Sequence, residues 1–217
     1  MSVIQGLISF IIHIDTHLME IIEMFGVWSY AILFLIVFVE TGLVIFPFLP
    51  GDSLLFASGA FAAMGSFHII NLLIIFFSAA VIGDTVNYHI GKKVGTSIPA
   101  TSFLSKVIHQ DRMKIAEDFF NKHGGKTIVI ARFMPFIRTF APFIAGASRM
   151  NYRYFIFYNI VGAALWVGIC TIAGYLFGNI PIIKDNFSTV LLSIIFISVL
   201  PAMVSLVRNQ LAKANES

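Results

Sequence analysis

Long apolar stretches alternate with short polar ones along this chain, and the length of each apolar stretch decides what it predicts. Apolar blocks run from Phe25 to about His68, Ile69 to Ile90, Thr127 to Ala147, Tyr154 to Ile180 and Phe187 to Val207. A helix that crosses a bilayer needs about 20 apolar residues. The second, fourth and fifth blocks therefore predict transmembrane helices at 69–90, 154–180 and 187–207. The first block is too long for one crossing, and Glu40, Pro47, Pro50 and Gly51 interrupt it. It predicts two helical arms around a break, at about 27–67.

The third block is set by its flanks. Lys126 precedes it, Arg149 and Arg153 follow it, and Arg132, Pro135, Arg138 and Pro142 lie inside. Basic residues collect on the cytoplasmic side of membrane proteins. With both flanks on that side, 127–147 enters and leaves through one face as a re-entrant hairpin. Irregular backbone at such depth is tolerated only where protein or a wet cavity surrounds it.

A weak internal repeat extends this reading. Pro47-Phe48-Leu49-Pro50-Gly51 is similar to Pro142-Phe143-Ile144-Ala145-Gly146, and each hairpin-like block is followed by one long helix. The residues expected at the hairpin breaks are Pro47, Pro50 and Gly51 in the first and Pro135, Pro142 and Gly146 in the second. The predicted fold is an all-α polytopic membrane protein. It is an inverted repeat of two re-entrant helical hairpins, each followed by a transmembrane helix, with a C-terminal transmembrane helix added. Secondary transporters built this way place their site where broken helices meet near the midplane.

The remaining segments are polar or interfacial. Residues 1–24 read as an N-terminal amphipathic, interfacial helix: they lack a basic leader, and Asp15, Glu20 and Glu23 are unlike a cleaved signal peptide. Residues 25–207 form the membrane domain, with a basic cytoplasmic loop at 91–126 and a cytoplasmic tail at 208–217. Within the loop, Asp111 to His123 has the spacing of an amphipathic helix.

Composition agrees: 58% of residues are hydrophobic and 12% charged, with a mean hydropathy of +0.90, far from a soluble domain. The net charge of +3 conceals an asymmetry, because residues 1–91 hold six acids and no Lys or Arg. All 14 basic residues follow, and all but Arg132 and Arg138 lie between or beyond the apolar segments, where they report topology rather than a nucleic-acid surface. Cys170 is a lone cysteine in an apolar run, and the six histidines lack metal-ligand spacing. No metal or cofactor is expected.

The chemistry lies in charges set within apolar blocks. Glu40, Asp52, Arg132 and Arg138 would each cost about 2.5–3.5 kcal/mol at a lipid-facing helix centre, so something must compensate them. One reading is a buried salt-bridge cluster that locks the hairpins together. The other is a polar cavity that binds a charged substrate and moves protons. Arginine suits the second because its planar fork stays protonated and grips phosphate oxygens through two parallel bonds. Asp84, Asn87, Tyr88 and Gly91 share one helical face and read as supporting polar packing. Gly91-x-x-x-Gly95 and Gly174-x-x-x-Gly178 have the spacing of close helix contacts. Trp28, Tyr30, Tyr152 and Tyr154 are expected at the membrane interfaces.

Taken in order, these motifs carry a resemblance. Glu40-Thr41-Gly42, Phe48-Leu49-Pro50-Gly51-Asp52, Gly83-Asp84 with Tyr88 and Gly91, Gly124-Gly125-Lys126, and Ala131-Arg132-Phe133 with Pro135, Arg138 and Gly146 resemble the DedA family over residues 25–180. The resemblance implies a bacterial inner-membrane protein with two opposed re-entrant hairpins, active in membrane homeostasis and dependent on the proton motive force. It implies a flippase for an anionic lipid, undecaprenyl phosphate or a phospholipid. The partners are then membrane lipids and protons, with no nucleic acid, and a homo-oligomer is compatible. Glu40 and Asp52 match the family's functional acids, expected to couple protons, and Arg132 and Arg138 match its arginines, expected to bind phosphate. No enzyme activity is expected: the Arg-Pro pair, Ser-Gly-His tripeptide and later His of a membrane lipid phosphatase are missing from the sequence. A structural membrane factor without transport is the other alternative.

Overall fold

The structure is a computed structural model that describes residues 24–43, 51–94, 124–134, 137–181 and 183. The expectations for the N-terminal helix, the third transmembrane helix, the tail, nearly all of the basic loop, and Pro47, Pro50 and Pro135 lie outside these residues.

Among the described residues the fold is all helical. The elements are α1 (Val27–Gly42), α2 (Gly51–Ala63), α3 (Ile69–Val94), α4 (Lys126–Ala131), α5 (Phe140–Ala147) and α6 (Tyr152–Gly178). Two of them are long and apolar enough to cross a membrane: Ile69–Lys93, with mean hydropathy 2.2, and Tyr152–Gly178, with 2.0. At 1.5 Å per residue each exceeds about 37 Å, more than the hydrocarbon thickness of a bilayer. By contrast α4 and α5, with 6 and 8 residues, are about 9 and 12 Å long and cannot span it.

The outward faces of the long helices suit lipid. Tyr154, Phe157, Val161, Leu165, Ile172 and Leu176 form an exposed apolar stripe on α6, and Ile70, Ile74 and Ile82 one on α3. Two hydroxyls on α3 close their bonds within the helix. Ser78 Oγ donates to Ile74 O at 2.7 Å, and Thr85 Oγ1 to Val81 O at 2.7 Å. Such back-bonding leaves no hydroxyl donor to be satisfied by water.

The described residues fall into two compact units, one of them Tyr30–Gly51 with Ile70–Ile169, the other including Asp52–Ile69 and the chain from Cys170. In the first, helices approach through glycine. A side chain at Gly91 would strike the Phe143 backbone, one at Gly146 the Tyr88 carbonyl, and one at Gly83 the last turn of α1. Without a hydrophobic force between helices in lipid, such approaches supply the packing. Tyr88, Ile128, Ala131, Ala141, Ala145 and Phe155 form the core between α3, α4, α5 and α6.

Contacts fix the directions. Tyr88 stacks on Phe155 at 4.5 Å and Asn159 Nδ2 donates to Val81 O at 3.1 Å, so α3 and α6 run antiparallel. Gly125 meets Tyr158 and Gly162 meets Val129, so α4 runs with α6. Thr139 meets Asn87 and Phe143 meets Gly91, so α5 runs with α3. It follows that α4 and α5 are antiparallel. The two ends of this segment also meet, since a Cβ on Gly125 would lie 3.2 Å from the Met150 methyl.

The break in the 127–147 block falls at 132–139, before Pro142. Pro142 is the third residue of α5, and proline is tolerated in the first turn of a helix. Gly146 also lies within α5, where its role is close approach to α3. Two helix bounds shift slightly from expectation, to 69–94 and 152–178.

In the second unit α2 packs on the last turns of α6. A side chain at Gly174 would strike the Phe56 backbone, and one at Gly178 would lie 2.8 Å from Ala60 Cα. The Gly174-x-x-x-Gly178 spacing is thus used as expected, whereas Gly91 packs on α5 and Gly95 is outside the described residues.

Candidate functional site

The buried charges gather at the turn between α4 and α5. Arg132 follows the last residue of α4 and Arg138 stands two residues before α5. Both are buried, although each carries a permanent charge. Arg132 Nη2 donates to Asp84 Oδ2 on α3 and to Asn159 Oδ1 on α6. Arg138 Nη2 donates to Glu40 Oε1 in the last turn of α1. Two ion pairs result, Arg132 with Asp84 and Arg138 with Glu40.

Asp84, expected as supporting packing, is therefore a direct charge partner. The fourth charge, Asp52, belongs to the other unit and is exposed in the first turn of α2. Gly51 supplies a backbone N–H that donates to Glu40 Oε1 at 3.3 Å, and a side chain there would collide with that carboxylate. Asn87 also exceeds its expected role. It spends its amide hydrogens on two carbonyls, Thr41 O at 3.3 Å and Thr139 O at 2.7 Å, tying α1 to the start of α5. Tyr88 reaches over α5, and its hydroxyl donates to Met150 O.

Trp166 is the residue that sequence reasoning missed. Its buried ring lies 5.8 Å from the Arg132 guanidinium carbon and 5.6 Å from that of Arg138. Cations gain most from an aromatic face where water is excluded. Asn159 was missed as well. The signal was available: Asn159 and Trp166 are seven residues apart, one face of α6, and an amide in the middle of an apolar span needs a partner.

A small cavity completes the site, lined by Thr41, Asp84, Arg132, Arg138, Thr139 and Trp166. Its volume for the centre of a water molecule is about 10 Å³, room for roughly one water. Arg132 Nε, Asn87 Oδ1 and Thr139 Oγ1 are buried with no hydrogen-bond partner among the described residues. Unsatisfied buried polar atoms cost about 1–3 kcal/mol each, so this centre is held at a cost in stability. Asp84 lies nine residues from Lys93, and Asn159 seven from Tyr152. At 1.5 Å per residue the pairs stand about 10–14 Å inside the helix ends. Among the described residues no cluster of His, Cys, Asp and Glu could hold a metal ion.

Two apolar helices long enough to cross a bilayer fit a membrane protein, and the comparisons with known proteins point the same way. The VTT domain matches residues 49–176, more than half of the chain. Protein DedA of Escherichia coli K12 is 47% identical over 216 residues, 99% of this chain and 98% of that protein. Inner membrane protein YqjA of the same organism is 37% identical over 153 residues, 70% and 69% of the two chains. An uncharacterized membrane protein of Mycobacterium leprae, ML0287, is 44% identical over 170 residues, 78% and 76% of the two chains. The chain belongs to the DedA family of VTT-domain membrane proteins. No solved structure matches it significantly.

Proposed function

We propose that this protein is an inner-membrane lipid transporter that moves an anionic, phosphate-bearing lipid, with proton uptake by buried carboxylates releasing the arginines to the phosphate. The observation that carries the reading is the pairing of Arg132 with Asp84 and Arg138 with Glu40 around one cavity. Carboxylate and phosphate compete for the same guanidinium edges. Protonating Glu40 or Asp84 removes that competitor, and deprotonation expels the phosphate. Asp52 is the further acid through which protons pass. The cavity of about 10 Å³ is far too small for a phosphate, so the segment 126–147 has to move for a headgroup to enter.

The re-entrant reading of 126–147 is supported by the antiparallel pair α4 and α5, their short lengths, and the meeting of Gly125 with Met150. The order of two shorter helices followed by a long one occurs twice, which favours an inverted repeat. The basic residues near this end, and Arg208 and Lys213 in the tail, favour a cytoplasmic side for this end and for the C-terminus.

Purified protein reconstituted in liposomes provides the test, with headgroup-resolved lipid transport followed with and without a pH gradient. Transport that depends on the gradient and leaves the lipid intact is expected. Hydrolysis of the headgroup would point to a phosphatase, and neither activity to a structural membrane factor.

A further inference from the structure

Away from the buried pairs, five exposed cations gather at one end of the first unit. Lys92 and Lys93 end α3, Lys126 begins α4, and Arg149 and Arg153 flank the start of α6. Contacts bring these segments together. A Cβ on Gly146 would lie 2.8 Å from the Lys92 backbone nitrogen, and one on Gly125 would meet Met150, next to Arg149. The His89 ring lies 5.4 Å from the Tyr152 ring, joining α3 to α6 at the same end. The described carboxylates of this unit, Glu40 and Asp84, are both buried with arginines. None of them neutralises the surface.

Helix-end chemistry favours three of the five, Lys92 and Lys93 at the end of α3 and Arg149 just past the end of α5. Lys126 is the first residue of α4 and Arg153 the second of α6, where the backbone field is positive and a cation is disfavoured. Arg149 has φ 54°. It occupies the left-handed position that closes α5, with Met150 N donating to Ala145 O at 3.0 Å and Arg149 N to Gly146 O at 3.0 Å. Glycine is the usual residue in such a cap, and a side chain there is strained. Two cations therefore stand where the helix field opposes their charge, and a third, Arg149, where the backbone conformation opposes its side chain. Around them Tyr152 and Tyr154 are exposed, as aromatic residues are at headgroup depth.

We infer that this cation surface is a docking site for anionic phospholipid headgroups of the adjacent leaflet, separate from the buried arginine site and independent of whether the protein transports lipid. Opposite charge from the bilayer offsets the repulsion among these cations, and each basic residue near an anionic leaflet adds about 1 kcal/mol.

The experiment compares wild type with Lys126→Gln, Arg149→Gly and Arg153→Gln in nanodiscs of phosphatidylcholine containing phosphatidylglycerol. It reads the phosphatidylglycerol retained per protein on delipidation and the thermal stability in phosphatidylcholine alone. Retention is expected to fall about fivefold for each cation removed, and to weaken with salt. Stability in neutral lipid is expected to hold, or to rise for Arg149→Gly as strain is relieved. Unchanged retention overturns the docking site, and so does a loss of stability in neutral lipid, which would make the cations structural. Displacement of phosphatidylglycerol by millimolar inorganic phosphate would overturn the lipid as occupant.

Discussion

The first unit and the second use the same packing device for different ends. Where α2 meets the last turns of α6, Gly174 and Gly178 admit the Phe56 and Ala60 backbone, and Phe56 meets Phe177 at 5.4 Å between ring centroids. In the first unit Gly83, Gly91 and Gly146 bring helices equally close, yet two buried ion pairs are added beside them. Glycine contact joins helices in both units, and the first adds buried charge to it. These charges carry a desolvation cost that glycine packing does not.

The sharpest way to break this comparison is to neutralise the charges singly and in pairs. Arg138→Met or Glu40→Gln alone leaves one buried charge without its partner, and about 3–5 kcal/mol of stability should be lost. The double variant, neutral on both sides, should regain most of it. If the pair only joins helices, transport returns with stability. If the arginine binds phosphate, the double variant folds and transports nothing. Transport per folded molecule, set beside the thermal midpoint of each variant, separates the two. Recovery of full transport by the neutral pair would remove Arg138 from the site.

A smaller effect is expected from the shared device itself. Gly174→Val in the second unit and Gly91→Val in the first each force a side chain into facing backbone, at about 1–3 kcal/mol. Stability should fall alike in both. Transport per folded molecule should fall further for Gly91→Val, because Gly91 lies one turn beyond Asn87, which ties α1 to α5. Equal transport by the two variants would mean that the ion pairs tolerate displacement of α3 and that the comparison is too sharp.

Much of this was legible beforehand. Periodicity and length found α3 and α6 within a few residues, and charge in apolar blocks drew attention to Glu40, Arg132 and Arg138, since uncompensated charge in lipid has no bland explanation. The pairing was not legible. Asp84 sits on a helix whose polar face also suits ordinary packing, and sequence carries no distance between Asp84 and Arg132, 48 residues apart. Pro142 misled for a local reason: proline breaks a helix interior but is tolerated in a first turn, and only the position of Thr139 as the cap of α5 distinguishes these cases. Trp166 was hidden because tryptophan in an apolar span ordinarily marks core or interface, and its value here comes from two cations brought in from a different segment.

The finest discrimination therefore falls on Trp166. Its ring faces both guanidinium groups, and a desolvated cation–aromatic contact contributes about 2 kcal/mol or less. Trp166→Phe keeps an aromatic face and should retain most stability and transport. Trp166→Leu keeps only bulk, and should lose transport by more than its modest loss of stability accounts for. The chain holds two tryptophans, and Trp28 is 73% exposed, so Trp28→Phe leaves Trp166 as the sole reporter. If phosphate draws the arginines away from their carboxylates, it also shifts them over the indole. The emission of Trp166 should then change when an anionic phospholipid is added, and stay constant with a neutral one. Constant emission in both, from a protein shown to transport the anionic lipid, would mean that the headgroup passes without moving Arg132 or Arg138.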